Sequence, residues 1–556
     1  RPQGAARILQ AAPFRFRQRT FRPRRQKAEY WARGANIDTP EQRKGRRYRM
    51  EIKVYQDTVT AGQVICDTKQ ELSVEAEILI PDYLPQVFKI VKCFVACVVL
   101  QKQFSAGRLT VEGYLRCVVL YQSEEAASLC RAEHKLPFTK QVELSGENTG
   151  AAHAWVSGQT EYVNCRAVSG RRVDVRGAFL MNILALCAAQ QPVLTALSGD
   201  GVEQKTQALQ HVEFLCAPEK LCTAQCQVPF AETPDMVLDT PCAVAVEEVK
   251  LTEGKAVVKG SARMTVLYRT GPGHAIQQVE CEAPFNEVLD APGADEACRA
   301  CVSVQPAGCT IAQSEEEGGE AGGYELSATL AMCVRVFRQE ETLAVCDAFS
   351  TLQNTVLAKR DVVLDEMFVP CEQAVTATTG GELPDPQAKI ITAMATALPP
   401  EVLEEDGKAT LRGRAMVHLL CENAVGEVDC YDKACEYSLP LPQASGGVTA
   451  LCEAQVERVS AQTMGSETKA DVALTVRGAL LCRAHHTLLE NVEAAGPREE
   501  TASDIALRIY FAHEGEEVFD IARRYATSPQ SIVQANALDD DVRLDAARRL
   551  LIPCAR

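Results

Sequence analysis

A short pattern returns three times at nearly even spacing, and it limits what this chain can fold into more than any other feature. Gly107-Arg108-Leu109-Thr110-Val111-Glu112-Gly113 runs on to Val119-Leu120-Tyr121. It comes back as Gly254-Lys255-Ala256-Val257-Val258-Lys259-Gly260 with Val266-Leu267-Tyr268, then as Gly407-Lys408-Ala409-Thr410-Leu411-Arg412-Gly413 with Leu419-Leu420-Cys421. The intervals are 147 and 153 residues. A second marker keeps step: Leu136-Pro137-Phe138, Ala283-Pro284-Phe285 and Leu439-Pro440-Leu441. Self-similarity at such a period means one supersecondary design used three times.

Each unit also looks double. Gly170-Arg171-Arg172-Val173-Asp174-Val175-Arg176-Gly177 resembles the Gly107–Gly113 segment, and Val476-Arg477-Gly478-Ala479 repeats Val175-Arg176-Gly177-Ala178. The corresponding stretch of the second unit, near Tyr324–Leu330, lacks the glycine. Within the repeats the apolar period is two. Leu109, Val111, Leu115, Cys117, Val119 and Tyr121 alternate with Thr110, Glu112, Tyr114 and Arg116, as a half-buried strand requires. Glycine recurring in mid-strand (Gly113, Gly260, Gly413) predicts a bulge or a close backbone approach. The acidic, glycine-rich stretches between strands, such as Glu315–Gly323, read as solvated loops. The expected fold is mainly β: tandem antiparallel modules, sandwich- or barrel-like, over residues 51–198, 205–348 and 351–492.

The texture changes after a polar linker over 493–506. Leu507–Phe511 reads as a strand, and Val518, Ile521, Ala522 and Tyr525 form the apolar face of a helix. Ser528 as N-cap and Pro529 at the first helical position start a second helix, ending near Asn536. Arg549–Pro553 closes a β-α-α-β unit over 507–554.

Charge divides the chain. Residues 1–49 hold 15 Lys/Arg against 3 Asp/Glu, whereas the rest holds 43 against 71, a net of −28. An acidic body repels phosphates, which argues against a nucleic-acid partner. The basic arm ends in Lys44-Gly45-Arg46-Arg47, the residues a purine-rich ribosome-binding site gives when read as protein, and Met50 then opens a β-like run. Residues 1–49 are therefore read as mistranslated upstream sequence or a disordered arm. No signal peptide follows Met50, which points to cytosolic synthesis, and no apolar run is long enough for a transmembrane segment. The 24 cysteines are scattered singly through apolar runs and read as reduced, buried small hydrophobes. Cys298-Arg299-Ala300-Cys301 has no companion at zinc spacing.

Catalytic motifs are missing: there is no P-loop, no GxGxxG after a strand, no GxSxG and no HExxH. The chain is read as a non-enzyme, with no catalytic, cofactor-binding or metal-ligating residues expected and no cofactor. His485-His486 would point to opposite faces of a strand, and His418 reads as an exposed surface histidine.

The glycine-bounded strand, the Leu-Pro-Phe marker and the repeat spacing together resemble the SPOCS domain, a repeated β-rich module of endospore-forming Firmicutes, over roughly residues 51–490. The C-terminal unit resembles the LysM domain through Tyr510, Gly515, Ile521-Ala522, Tyr525, Ser528, Ala535-Asn536 and Leu551-Ile552-Pro553. That resemblance implies a groove for N-acetylglucosamine-containing glycans between two loops. These are Gly515, Glu516, Glu517, Val518 and Phe519 entering the first helix, and Asn536, Ala537, Leu538 and Asp539 leaving the second. The first loop departs from the family's Gly-Asp-Thr-Leu, and Asp539-Asp540-Asp541 makes the second acidic. A protein partner is thereby as well supported as a glycan.

The pairing of SPOCS-like repeats with one LysM resembles the clostridial spore-coat morphogenetic proteins. It implies an adaptor in the mother-cell cytoplasm at the forespore surface, docking a spore-coat basement morphogenetic ATPase through its LysM. The competing readings are a binder of peptidoglycan or GlcNAc oligomers at the cortex or cell wall, and a coat component polymerised through its repeats. For the N-terminal arm, mass analysis of the native protein is expected to find Met50 as the first residue. Native peptides from earlier in the chain contradict that reading.

Overall fold

Leu109 and Val111 point into a core while Arg108 and Glu112 point out, and the same in–out rhythm runs through strand after strand. In a computed structural model the described residues are 52–124, 128–145, 151–271, 275–315, 321–405, 408–464, 467–498, 506–538 and 543–553. The arm over 1–49 and Asp539 lie outside them. The fold is mainly β, with two short helices near the C-terminus.

The first module holds strands β1 (Lys53–Leu79), β2 (Val87–Ser105), β3 (Arg108–Ser123), β4 (Leu129–Glu143), β5 (Ala152–Ser169) and β6 (Arg172–Ser198). A long sheet has the order β1-β6-β5 and a short sheet β2-β3-β4, all antiparallel. The two sheets close on one core containing Val74, Ile78, Leu109, Val111, Tyr121, Val175 and Met181. The second module has β7 (Val202–Cys216), β8 (Glu219–Val228), β9 (Pro234–Asp239), β10 (Cys242–Thr252), β11 (Lys255–Thr270), β12 (Ile276–Asp290), β13 (Arg299–Glu315) and β14 (Ala321–Ser350). Here β7 and β8 share the edge of β14 that the single β1 takes on β6, and β9 and β10 share one edge of β11. The third module has β15 (Gln353–Glu382), β16 (Lys389–Ala397), β17 (Glu401–Glu405), β18 (Lys408–Glu422), β19 (Val428–Pro440), β20 (Val448–Met464) and β21 (Glu467–Pro497). Its sheets, β15-β21-β20 and β16/β17-β18-β19, repeat the plan.

The recurring glycines have a physical explanation. Gly107 (φ +77°) and Gly254 (φ +73°) sit in the tight turns leading into β3 and β11, a conformation that suits residues lacking Cβ. Gly113 lies opposite a bulge in β2, where a Cβ would meet the Val98 carbonyl oxygen at 2.1 Å. Gly260 repeats this against the Ala245 oxygen, also at 2.1 Å. The doubling within a unit is real as a local device: Gly177, entering β6, would meet the Tyr162 oxygen of β5 at 2.3 Å.

The modules do not stand apart. Leu120, Leu267 and Leu420, the same repeat position in three copies, meet in one cluster with Leu129, Leu238 and Val428. At the opposite ends, the two-stranded extensions of the long sheets bundle together. Val59 and Val193 pack there with Leu209, Ala344, Val362, Leu364 and Leu488. Between these, Trp155, Leu186, Phe214, Phe337, Phe368 and Leu481 bring all three modules to one centre. Phe337 stands 5.6 Å from Phe214 and 5.2 Å from Phe368, ring to ring. Polar groups close the same contacts. Gln122 of module one donates to the Gly426 carbonyl of module three at 2.8 Å, and its oxygen accepts from Val428 N–H at 3.3 Å. Arg269, the equivalent position in module two, donates to Leu129 O at 2.9 Å in module one.

Asp365 is buried in the central bundle, its carboxylate against Gly62 of module one. Burial pushes its acid up to about 7, against the opposing pull of the Arg483 charge. The unfolded value is about 3.9, so this residue costs nothing below about pH 4. Its cost grows as pH rises toward the folded value, by up to about 1.4 kcal/mol per unit. Asp365→Asn is expected to match the wild type near about pH 4 and exceed it near about pH 8 in denaturant midpoint. A pH-independent difference contradicts the buried carboxylate.

Candidate functional site

The C-terminal unit is assembled from β22 (Leu507–Ala512), α1 (Val518–Tyr525), α2 (Pro529–Asn536) and β23 (Arg548–Pro553). The strands pair antiparallel from Leu507↔Pro553 to Ala512↔Arg548. Val518, Ile521 and Ala522 recur at helical spacing, and α1 lays them against Ile532, Leu544, Leu550 and Ile552. Asp520 in its first turn and Arg523 and Arg524 in its last complement the helix dipole. Both helices stop on left-handed alanines, Ala526 and Ala537, whose N–H groups close back onto the last turn. Ser528 does stand at the N-cap of α2, though its side chain makes no capping bond there.

The loop entering α1 is fixed from inside. Gly515 (φ +85°) donates to Leu544 O at 2.8 Å, and Leu544 returns a bond to Glu516 O at 2.9 Å. The Glu516 carboxylate accepts from His513 N–H at 2.9 Å and from the Tyr510 hydroxyl at 2.8 Å, with Arg524 at 3.7 Å. The His513 N–H is the main reason its acid lies below the ordinary carboxylate value; Tyr510 and Arg524 add to this against a burial effect of opposite sign. The loop leaving α2 is tied by Asn536. Its amide donates to Ile532 O at 2.8 Å and Leu551 O at 2.7 Å, and its oxygen accepts from Leu551 N–H at 2.7 Å.

The nine residues expected to form the groove thus have different situations. Val518 and Phe519 are core residues, 3% and 6% exposed, and do not line an open loop. Glu516 and Asn536 spend their polar groups inside the unit. Leu538 is half-buried against the core, whereas Gly515 is partly accessible and Ala537 exposed. Asp539 is outside the described residues. Glu517 reaches outward to another module, pairing with Lys205 of β7. Three further contacts lie beside it: Arg523 pairs with Asp347 of β14, Phe519 stands edge-on to Phe349 at 5.1 Å, and Arg498 donates to Ser350 O at 3.4 Å. Sequence reasoning missed Lys205, Asp347 and Phe349, which no local spacing links to residues over 500.

Two family models match the chain: SipL, SPOCS domain, over residues 86–168 and again over 235–312, and the LysM domain over 513–553. The chain carries SPOCS and LysM domains. The SPOCS matches begin just before β2 and at the second residue of β9 and end in β5 and β13, so each spans a short sheet and much of the first returning strand of the long one. The third repeat lies outside them although its strands pair alike. No curated protein and no solved structure matches the chain. SPOCS and LysM together fit a spore-coat-related, peptidoglycan-binding protein. No helix among the described residues is long and apolar enough to cross a membrane.

Among the described residues of the repeat modules, two groupings place His, Cys and carboxylate side chains together. His153 Nε2 lies 3.7 Å from Cys333 Sγ, and His153 Nδ1 lies 3.7 Å from Glu219. Burial, then the Arg335 and Lys102 charges, lowers this imidazole to about 2, so it stays neutral, and burial raises the Cys333 thiol. That is the reverse of an activated thiolate–imidazolium pair. In the second grouping His418 Nδ1 lies 2.8 Å from Asp432 with Cys430 beside them. His418 is buried rather than on the surface, because the module one strand β2 covers it with Phe94 at 5.0 Å. In both groupings a lysine ammonium, Lys102 or Lys92, sits on the carboxylate where a divalent cation would need to bind. The two cysteines of Cys298-Arg299-Ala300-Cys301 face different cores and do not act together.

Asn536 holds both α2 and β23, so Asn536→Ala removes the partner of the part-buried Leu551 N–H and carbonyl. A loss of about 1–3 kcal/mol local to the LysM is expected. It is read as faster amide exchange over 548–553 with exchange in β3 and β11 unchanged.

Proposed function

We propose that this chain is a non-enzymatic adaptor of spore-coat assembly, whose LysM domain engages a coat-basement morphogenetic ATPase while the SPOCS body presents sheet surfaces to other coat components. The reading places it in the mother-cell cytoplasm at the forespore surface. One observation favours a protein partner in particular. Leu507, Ile509 and Phe511 alternate along the outward face of β22, 49%, 58% and 71% exposed. Arg549 lies directly across from Phe511. An apolar strip beside a cation suits a partner surface of apolar and acidic side chains. The described polar side chains of the groove loops, Glu516, Glu517 and Asn536, are in contrast turned to internal bonds or to Lys205.

Binding of peptidoglycan or GlcNAc oligomers is the second reading, and the LysM match itself favours it. An Ile509→Asp, Phe511→Asp variant separates the two, because both side chains are exposed and the LysM core is left intact. Tagged variant from sporulating cells is expected to lose its coat-protein partners while keeping any hold on purified peptidoglycan. If partner recovery is undiminished, or peptidoglycan is the sole material recovered with wild type, the adaptor reading falls.

A further inference from the structure

We infer that the LysM domain is latched onto the second SPOCS module through α1, and that this latch competes with occupation of the LysM groove. The reading of a glycan groove underlies the second half of this inference.

The latch is complementary at each of its points. Lys205 and Asp347 are cross-strand partners at the end of the β7–β14 ribbon. Directly opposed side chains on a ladder present both charges side by side. The LysM answers with Glu517 before α1 and Arg523 in its last turn, opposite in sign and matched in order. Between them Phe349 of β14 enters the LysM core, only 3% exposed, and stands edge-on to Phe519. Arg523 lies over both rings, 5.9 Å from Phe349 and 5.3 Å from Phe519. Arg498, following β21, joins the two bodies by donating to Ser350 O at 3.4 Å and Arg523 O at 3.3 Å.

One residue of this contact, Glu517, belongs to the loop that forms one wall of the groove, and Phe519 follows it in the first turn of α1. A chain of N-acetylglucosamine units using that wall meets a carboxylate already paired and a loop held against another module. Full occupation therefore needs the latch open. Linkage then makes the effect reciprocal: whatever opens the latch strengthens sugar binding, and sugar binding opens the latch.

The full chain carrying Lys205→Glu and Asp347→Asn tests this, since both changes lie at the module surface. Hydroxyl-radical oxidation of Phe349, read by mass spectrometry, reports the latch. Calorimetry with a GlcNAc hexamer reports the groove. Expected are faster Phe349 oxidation in the variant and hexamer binding about tenfold tighter, the gain for a groove open one time in ten. Saturating hexamer is also expected to speed Phe349 oxidation in the wild type, and adding Glu517→Lys to the variant to slow it again. Unchanged Phe349 oxidation in the variant overturns the latch. Faster oxidation with equal hexamer affinity overturns the competition. If neither protein binds hexamer, the groove reading fails and the competition with it, while Phe349 still decides the latch.

Discussion

Three leucines at one repeat position, Leu120, Leu267 and Leu420, meet where the three repeat modules join, and the rest of the architecture depends on that meeting. Burying a leucine contributes about 1.5–3 kcal/mol. Here three are buried by one another rather than each within its own sandwich. The strand that carries each leucine therefore has two apolar faces in its second half. Val119 and Tyr121 turn to the core of their own module, and Leu120 turns to the other two. A single module taken out of this body would expose that leucine together with its share of the central cluster around Trp155 and Phe337.

The polar contacts at the joint are less symmetric than the apolar ones. Gln122 and Arg269 occupy equivalent positions, and each reaches into a turn or strand start of another module. The third equivalent is Glu422, an exposed carboxylate that cannot donate. Repetition thus sets the packing, and single substitutions set which module faces which. Arg269 adds a bond to Asp235 at 2.9 Å, and burial opposes its charge less than Asp235 and Cys130 support it.

How much of this could be read from the residues follows from range. Period-two alternation in Leu109–Cys117 reports the local pleat, and glycine at Gly107 and Gly113 reports a turn and a bulge, because both signals lie within one hairpin. The LysM order was legible for the same reason: Val518, Ile521 and Ala522 carry their helical period in a few residues. The joint between modules was visible only as a break in the alternation. Leu120, Leu267 and Leu420 are apolar in the polar phase, a sign that the second face of the strand is buried too. The burial of His418 and Phe519 left no such trace. Each is covered by residues far away in sequence, Phe94 in one case and Phe349 in the other, and only the fold brings them together.

A body of three like modules offers three like ribbon ends, yet only one of them receives the LysM. The last rungs show why. Where module two ends in Phe349-Ser350, module one ends in Leu197-Ser198 and module three in Gly496-Pro497. The aromatic ring that enters the LysM core is present once. Two rungs earlier, module two has Asp347 across from Lys205, the pair that meets Arg523 and Glu517, where module one has Leu194 across from Gln56 and module three Glu493 across from Val356. The backbone plan is shared and the side chains that choose a neighbour are not. A repeated scaffold of this kind acquires direction through a few such differences, and the end that holds the LysM becomes distinct from the two that do not.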